Sequence, residues 1–339
     1  MNKTNHSNIL IVGGGCAGIS VATRLHNLKS DLSISIIEPS DQSLYQAAWT
    51  LVGAGAYDKD KTIKPMTEVM PSYVNWIKDH AESFAPESNS VKTSNGEHSY
   101  DYLVVCPGLK INYAGIPGLQ ESIGKNNVCT NYSADMAVYT WECLKNLKGG
   151  TLLFTEPPMP IKCAGAPQKI AYLAADHLKK KGTLNESHLE FLCAKPVIFG
   201  VPHFQGPLNE ICDSYGIKRS FQHNLISVDG NTKEAVFKQS DKDGNTKEIT
   251  KKFDFIHVTP PQTSPDFIKN SPLADSAGWV DVDHKVGTLR HTKYENVYSL
   301  GDVMNAPNAK TGAAVRKQAP IVAHNIIKDV NKSSEEYRH

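Results

Sequence analysis

The sequence has almost no excess of charge. Among its 339 residues, 36 Lys and Arg stand against 35 Asp and Glu, a net charge of +1. Without surplus cations to displace counterions from phosphates, nucleic acid is excluded as a general electrostatic partner. Long hydrophobic runs are missing too: the apolar stretches are short and sit between turn signals, so no transmembrane helix is written. The seven cysteines (Cys16, Cys106, Cys129, Cys143, Cys163, Cys193, Cys212) contain no Cys-x-x-Cys pair and are too scattered for a secreted disulfide scaffold. The thirteen histidines show no metal-ligand spacing, so no metal is expected. The opening MNKTNHSN is polar and resembles neither a signal peptide nor an Arg-rich transit sequence, which makes a cytoplasmic chain the expectation. What is there, 40% hydrophobic and 21% charged, is a globular composition long enough for two domains, each with its own core.

Residues 8–38 read as a complete β-α-β unit. NILIV is a continuous apolar run, as in a strand buried on both faces; a glycine-rich turn and the helical stretch ISVATRLHNL follow, and LSISIIE ends in an acid. Short helices and loops fill 40–80, and a β-rich stretch (84–105) ends in YDYLVVCPG. A second β-α pattern begins with a helix at ADMAVYTWECLKNL and continues through strand TLLFT (151–155), helix APQKIAYLAADHLKKK (166–181) and strand HLEFLCA (188–194). Asp243-Gly244-Asn245 marks a hairpin within 234–259. VYSLGDV (297–303) is a strand ending in Gly301-Asp302, with a helix from about Gly312. The fold class is α/β with two Rossmann-like domains: 1–115 plus 285–339 as a discontinuous nucleotide-binding domain, and 116–284 as the second.

Gly13-x-Gly15-x-x-Gly18, with Gly14 between, follows a strand and opens a helix, and Glu38 ends the next strand 20 residues after Gly18. That context turns a weak motif into a dinucleotide fingerprint: a tight turn, a close approach to pyrophosphate, a helix N-terminus for the phosphates, and an acid for a ribose diol. YDYLVVCPG and VYSLGD, in this order, resemble the later strands of two-dinucleotide-fold flavoproteins, in which the terminal acid holds the ribityl chain; FAD is therefore the expected cofactor. A helix start at Lys310-Thr311-Gly312 places partial positive charge where it would stabilise a reduced, anionic flavin.

The second lobe lacks what the first has. Strand TLLFT runs into Glu156-Pro157-Pro158-Met159-Pro160-Ile161-Lys162-Cys163-Ala164-Gly165, where prolines remove N–H donors and no phosphate cradle can form, which disfavours NADH. In its place stands Cys163, just before a helix and beside Lys162, a setting for a nucleophilic sulfur suited to thiol, disulfide or sulfide oxidation near a flavin. Cys16 and Cys106 read as packing residues. His203 and His257 read as structural histidines or proton carriers, and the four tryptophans as core or cofactor-wall residues.

Together NILIVGGGCAGI, IIEPS, LYQAAWTLVGAGA, VNWIKD, IKCAGAPQKIAYL, HVTPP, SPLADSAGWVDVD and SLGDVMNAPNAKTGAAV resemble sulfide:quinone oxidoreductases, in the branch of the mitochondrial enzyme and its bacterial relatives, over about residues 8–325. The resemblance implies oxidation of sulfide to sulfane sulfur with electrons passed to quinone, and a sulfur acceptor that is sulfide, sulfite or a small thiol. It puts Glu38, Gln46, Ala81, Asp302 and Lys310 at FAD-contacting positions and Cys163 at the cysteine that carries sulfane sulfur. Ala47, where the branch often has proline, is a small departure. The larger one is at Glu336-Tyr337-Arg338-His339, where the family's segment with a second redox cysteine would begin, ahead of helices that form the quinone pocket and dock on the inner face of the cell membrane. The corresponding expectation is a catalytically impaired FAD-binding chain. An NAD(P)H-dependent flavin oxidoreductase, a non-enzymatic sulfur carrier and a flavocytochrome-type dehydrogenase are competing expectations.

Overall fold

A computed structural model describes residues 5–333 and Arg338. The expected onset of the second-cysteine segment at Glu336–His339 therefore lies, Arg338 apart, outside the described residues. The chain forms two compact units: Met1–Leu44, Lys64–Lys110 and Thr263–His339 make one, and Tyr45–Ile63 with Ile111–Gln262 the other. Compared with the sequence-based boundaries, 45–63 and 111–115 go with the second unit and 263–284 with the first. Packing gives the reason. Trp49 and Val52 bury with Ala137, and Tyr113 packs in a second-unit cluster around Ile116 and Leu119, whereas Ile268, Leu273, Val280 and Val282 are core residues of the first unit.

The first unit is built on parallel strands Val74–Ile77, Ile34–Ile37, Asn5–Val12, Gly96–Val105 and Val297–Ser299, in that order, with a hairpin annex of Ser90–Thr93 and Ala81–Ala85. All four residues of Ile34–Ile37 are buried, as befits a strand covered on both faces. Helix Cys16–Leu28 covers the sheet with Ala17, Val21, Ala22 and Leu25, and packs on helix Gly312–Val330. Complete burial of a side chain such as Leu25 stabilises by about 1.5–3 kcal/mol.

The second unit is also parallel: Val128–Cys129, Phe255–His257, Gly150–Glu156, Ser187–Cys193 and Lys218–Phe221, in that order. Helices Ala134–Asn146 and Ala166–Lys181 fall where their apolar periodicity placed them. Beside the parallel sheet, His223–Asp229, Glu234–Ser240 and Thr246–Lys252 form an antiparallel meander whose second turn is at Gly244, φ +84°. Three buried clusters serve this unit, the largest including Phe154, Ile170, Leu178 and Phe191.

Candidate functional site

Register builds the first unit's edge. Val12 pairs with Ile37 and Val105, and Val105 with Ser299, so Gly13, Glu38 and Leu300-Gly301 leave the sheet along one line. This carboxyl edge is where open α/β sheets take ligands. A Cβ on Gly13, at φ +108°, would lie 2.4 Å from the Cys106 carbonyl oxygen, and one on Gly18 2.0 Å from that of Gly13, so the two glycines permit the turn and the close helix. Gly14 lies against Glu38 and donates its N–H to Glu38 Oε2 at 2.8 Å, while Oε1 accepts from the Ser40 N–H at 2.8 Å. The acid is thus fixed to the turn. A Cβ on Gly15 would meet nothing within 4 Å, and helix Cys16–Leu28 begins there with no side-chain cap and no acid in its first turn.

Gly301, at φ +80°, donates its N–H at 3.0 Å to Oε1 of Gln318, a fully buried residue whose Nε2 has no partner among the described residues. Asp302 follows in the turn Gly301–Val303. Lys310 is buried: its ammonium donates to the carbonyls of Asp302 (2.6 Å) and Met304 (2.9 Å) and lies 4.1 Å from the centre of the Trp279 ring. Burial lowers its pKa to about 8, against the opposing pull of Asp302 and Asp275. Thr311 caps the next helix, its hydroxyl accepting from Ala314 N–H at 3.1 Å, and a Cβ on Gly312 would meet nothing within 4 Å. The space beside Gly15, the uncapped helix start and the orphaned Gln318 amide fit a dinucleotide. Cys106 is buried with its thiol toward Gly13 O, and burial pushes its pKa up, as suits a packing residue. Ala81 opens the hairpin annex and packs on the core, and Gln46 belongs to the second unit, exposed at the start of the turn Gln46–Ala48.

Register builds the second unit's edge as well. Cys129 pairs with His257, His257 with Phe154, and Glu156 with Cys193, so the loops at 130–132, 157–165, 194–201 and 258–262 leave one side of the sheet. Glu156 ends the strand where the loop toward Cys163 begins, with no glycine turn after it. Its carboxylate is fully buried and ion-paired with Lys195; burial raises its pKa, partly offset by Lys195. Cys193, at the neighbouring strand end, is pushed up to about 12 by burial. His257 is buried, accepts from the Asn131 N–H at Nε2 (3.1 Å) and is pushed down to about 3, so it is a neutral structural acceptor and not a proton carrier.

Cys163 is half-buried and has φ +52°, the left-handed region, which costs a side-chain-bearing residue about 1–2 kcal/mol. Its carbonyl accepts from Ala166 N–H at 2.8 Å where helix Ala166–Lys181 begins. The ammonium that reaches its sulfur, at 3.8 Å, is that of Lys169. Adjacency suggests Lys162, but helical geometry brings a residue from the first turns of the helix back over the loop. The backbone of Lys162 is held at both its polar groups: its N–H donates to Gln262 Oε1 at 2.5 Å, and its carbonyl accepts the Tyr132 hydroxyl at 3.0 Å. Burial holds the Tyr132 hydroxyl well above the usual phenol range, and the charges of Cys163 and Glu156 add to this. Among these residues, Lys169 was open to detection from its place in a helix starting beside the cysteine. Tyr132, Gln262 and Gln318 gave no signal of their own.

One unit with an open glycine cradle and another with a cysteine at its sheet edge define a flavoprotein of the disulfide-oxidoreductase type. The sequence model of the family Pyridine nucleotide-disulphide oxidoreductase matches residues 7–139. The mitochondrial sulfide:quinone oxidoreductases of Mus musculus and Dictyostelium discoideum are 42% and 44% identical, over 94% and 95% of this chain and 70% and 71% of theirs. The crystal structure of the sulfide:quinone oxidoreductase from Aquifex aeolicus shares the fold, with a TM-score of 0.84 at 23% identity over 99% of this chain and 79% of that one. The chain belongs to the sulfide:quinone oxidoreductase family, and membership implies a flavin cofactor. Among the described residues no helix is long and apolar enough to cross a membrane.

Proposed function

We propose that this chain oxidises sulfide to sulfane sulfur on Cys163, with FAD as its flavin and quinone as the final electron acceptor. The observation that carries the assignment is Cys163 itself, a cysteine in a strained backbone conformation with the Lys169 ammonium 3.8 Å from its sulfur. FAD, when bound, supplies a two-electron acceptor that quinone reoxidises. Gly15 leaves room for its pyrophosphate and Gly13 and Gly18 permit the turn and close helix that frame it, Glu38 fits a ribose, and Asp302 and the helix start at Thr311-Gly312 fit its isoalloxazine-side end.

In the sulfur step the Cys163 thiolate and hydrosulfide become a cysteine persulfide, releasing one proton and two electrons. In the transfer step an acceptor anion (sulfide, sulfite or a small thiolate) bonds to the outer sulfur, the S–S bond breaks, and its electron pair returns to Cys163. Lys169 is placed to donate a hydrogen bond to the sulfur that takes that pair. Because quinones are lipid-soluble, work at the surface of a membrane, on its cytoplasmic side, completes the proposal. Glu156, Lys195 and three prolines where a nucleotide cradle would be favour sulfide over NADH as the reductant.

Anaerobic mixing of the FAD-loaded chain with sulfide tests the assignment. Sulfide should bleach the flavin absorbance, and Cys163→Ala should abolish the bleaching while binding FAD normally. Bleaching at the wild-type rate in Cys163→Ala would remove the assignment.

A further inference from the structure

The left-handed backbone at Cys163 has to be imposed from outside, because cysteine has no preference for it. The imposing contacts lie on the residue in front. Lys162 N–H donates to Gln262, 100 residues away, and Lys162 C=O accepts from Tyr132, 30 residues away. Tyr132 sits in the loop that leaves strand Val128–Cys129, and Gln262 begins the short strand Gln262–Thr263 at the end of the loop that leaves Phe255–His257 at the same sheet edge. On the other side, the Cys163 carbonyl is tied to the helix start through Ala166 N–H. The Lys162 N–H and C=O lie on the two peptide planes that flank its Cα; with one group engaged on each, both planes are held, and the φ torsion that aims the Cys163 Cα–Cβ bond is restrained. Tyr132 suits the task, since burial keeps its hydroxyl protonated and therefore a donor.

We propose that Tyr132 and Gln262 are positioning residues for the sulfur step: together they clamp the two peptide planes flanking the Lys162 Cα and so hold Cys163 Sγ against the Lys169 ammonium. Neither touches the reacting sulfur, and the clamp makes and breaks no covalent bond. It rests on the assignment of sulfane chemistry to Cys163 made above. Gln262 is the more telling of the two, because its side chain has no other structural duty visible: Oε1 serves Lys162 and Nε2 has no partner among the described residues.

The test uses the FAD-loaded full chain with Tyr132→Phe, Gln262→Leu and the double variant, all close in shape to the original. Three quantities are read: the rate of Cys163 alkylation by iodoacetamide, followed on its own peptide by mass spectrometry; the rate of flavin bleaching by sulfide; and the FAD dissociation constant. Each single variant should slow alkylation and bleaching about tenfold, with FAD affinity unchanged. The double variant should lose little more than the worse single, since the two planes share the Lys162 Cα and the orientation of the one before Cys163 needs both held. Wild-type alkylation in both singles overturns the clamp, and so do strictly additive losses, which would mark two separate structural effects. Cys163→Ala is the arm that separates the two layers. If it still bleaches with sulfide, the assignment of chemistry fails; if it is silent while both clamp variants react as wild type, the assignment stands and the clamp fails.

Discussion

The two units share one device and use it in opposite ways. Each is a parallel sheet whose carboxyl edge gathers the loops of neighbouring strands by register. In the first unit that edge is kept clear. Glycines stand wherever a Cβ would collide with backbone, and Gly15 borders open space. In the second unit the same edge is occupied by a buried ion pair, three prolines and a cysteine in a strained conformation. The comparison teaches that a Rossmann-like sheet does not fix its ligand; the residue that ends the first strand does much of the choosing. Gly13, the residue just past strand Asn5–Val12, opens the way to a dinucleotide, and the buried Glu156 that ends strand Gly150–Glu156 closes it.

The strongest way to break the contrast is to unpair the ion pair. Lys195→Met leaves the Glu156 carboxylate buried without its partner and should cost about 3–5 kcal/mol of stability at pH 7. The unpaired carboxyl has its folded pKa raised above the unfolded value, so the penalty should shrink as pH falls and the group protonates. Urea melts of the variant at pH 5 and pH 8 check this; equal losses at both would mean the pair is not buried as described.

Next comes the glycine side. Gly18→Ala forces a Cβ to 2.0 Å from Gly13 O and should cost about 3 kcal/mol and most FAD binding. Gly15→Ala, with nothing within 4 Å, should melt like wild type yet bind FAD more weakly. Calorimetry of the apo and FAD-loaded proteins separates the two; a stable Gly18→Ala would contradict the close packing.

The smallest effect sharpens the comparison through pH. Lys310 has its pKa depressed to about 8 in the folded chain, so between pH 8 and the unfolded value near 10.5 the unfolded state binds more protons and stability rises with pH. Relative to Lys310→Met, wild type should gain roughly 1.5 kcal/mol between pH 8 and 9.5. A pH-independent difference between the two would show that the ammonium is solvated after all.

The sequence was legible wherever structure is local. The helices at 134–146 and 166–181 follow from spacing, the turn at Gly244 from Asp-Gly-Asn, and the place of Glu38 beside the glycine turn from its separation from Gly18. Strand 297–303 is shorter than its apolar run suggests, because Gly301 turns the backbone at φ +80°. Contacts between distant segments were not legible. No local pattern announces a left-handed cysteine, and its supports, Tyr132 and Gln262, are polar residues in loops whose partners are backbone atoms. The domain boundary at 45–63 was missed for the same reason: what fixes it is Trp49 meeting Ala137.

The φ of +52° at Cys163 also has an evolutionary consequence. At such a torsion glycine is free of the steric cost that any β-carbon carries, so stability alone favours replacing this cysteine by about 1 kcal/mol. Random drift at position 163 therefore runs toward glycine. In a lineage that no longer required sulfur there, glycine would be the replacement that relieves this steric cost.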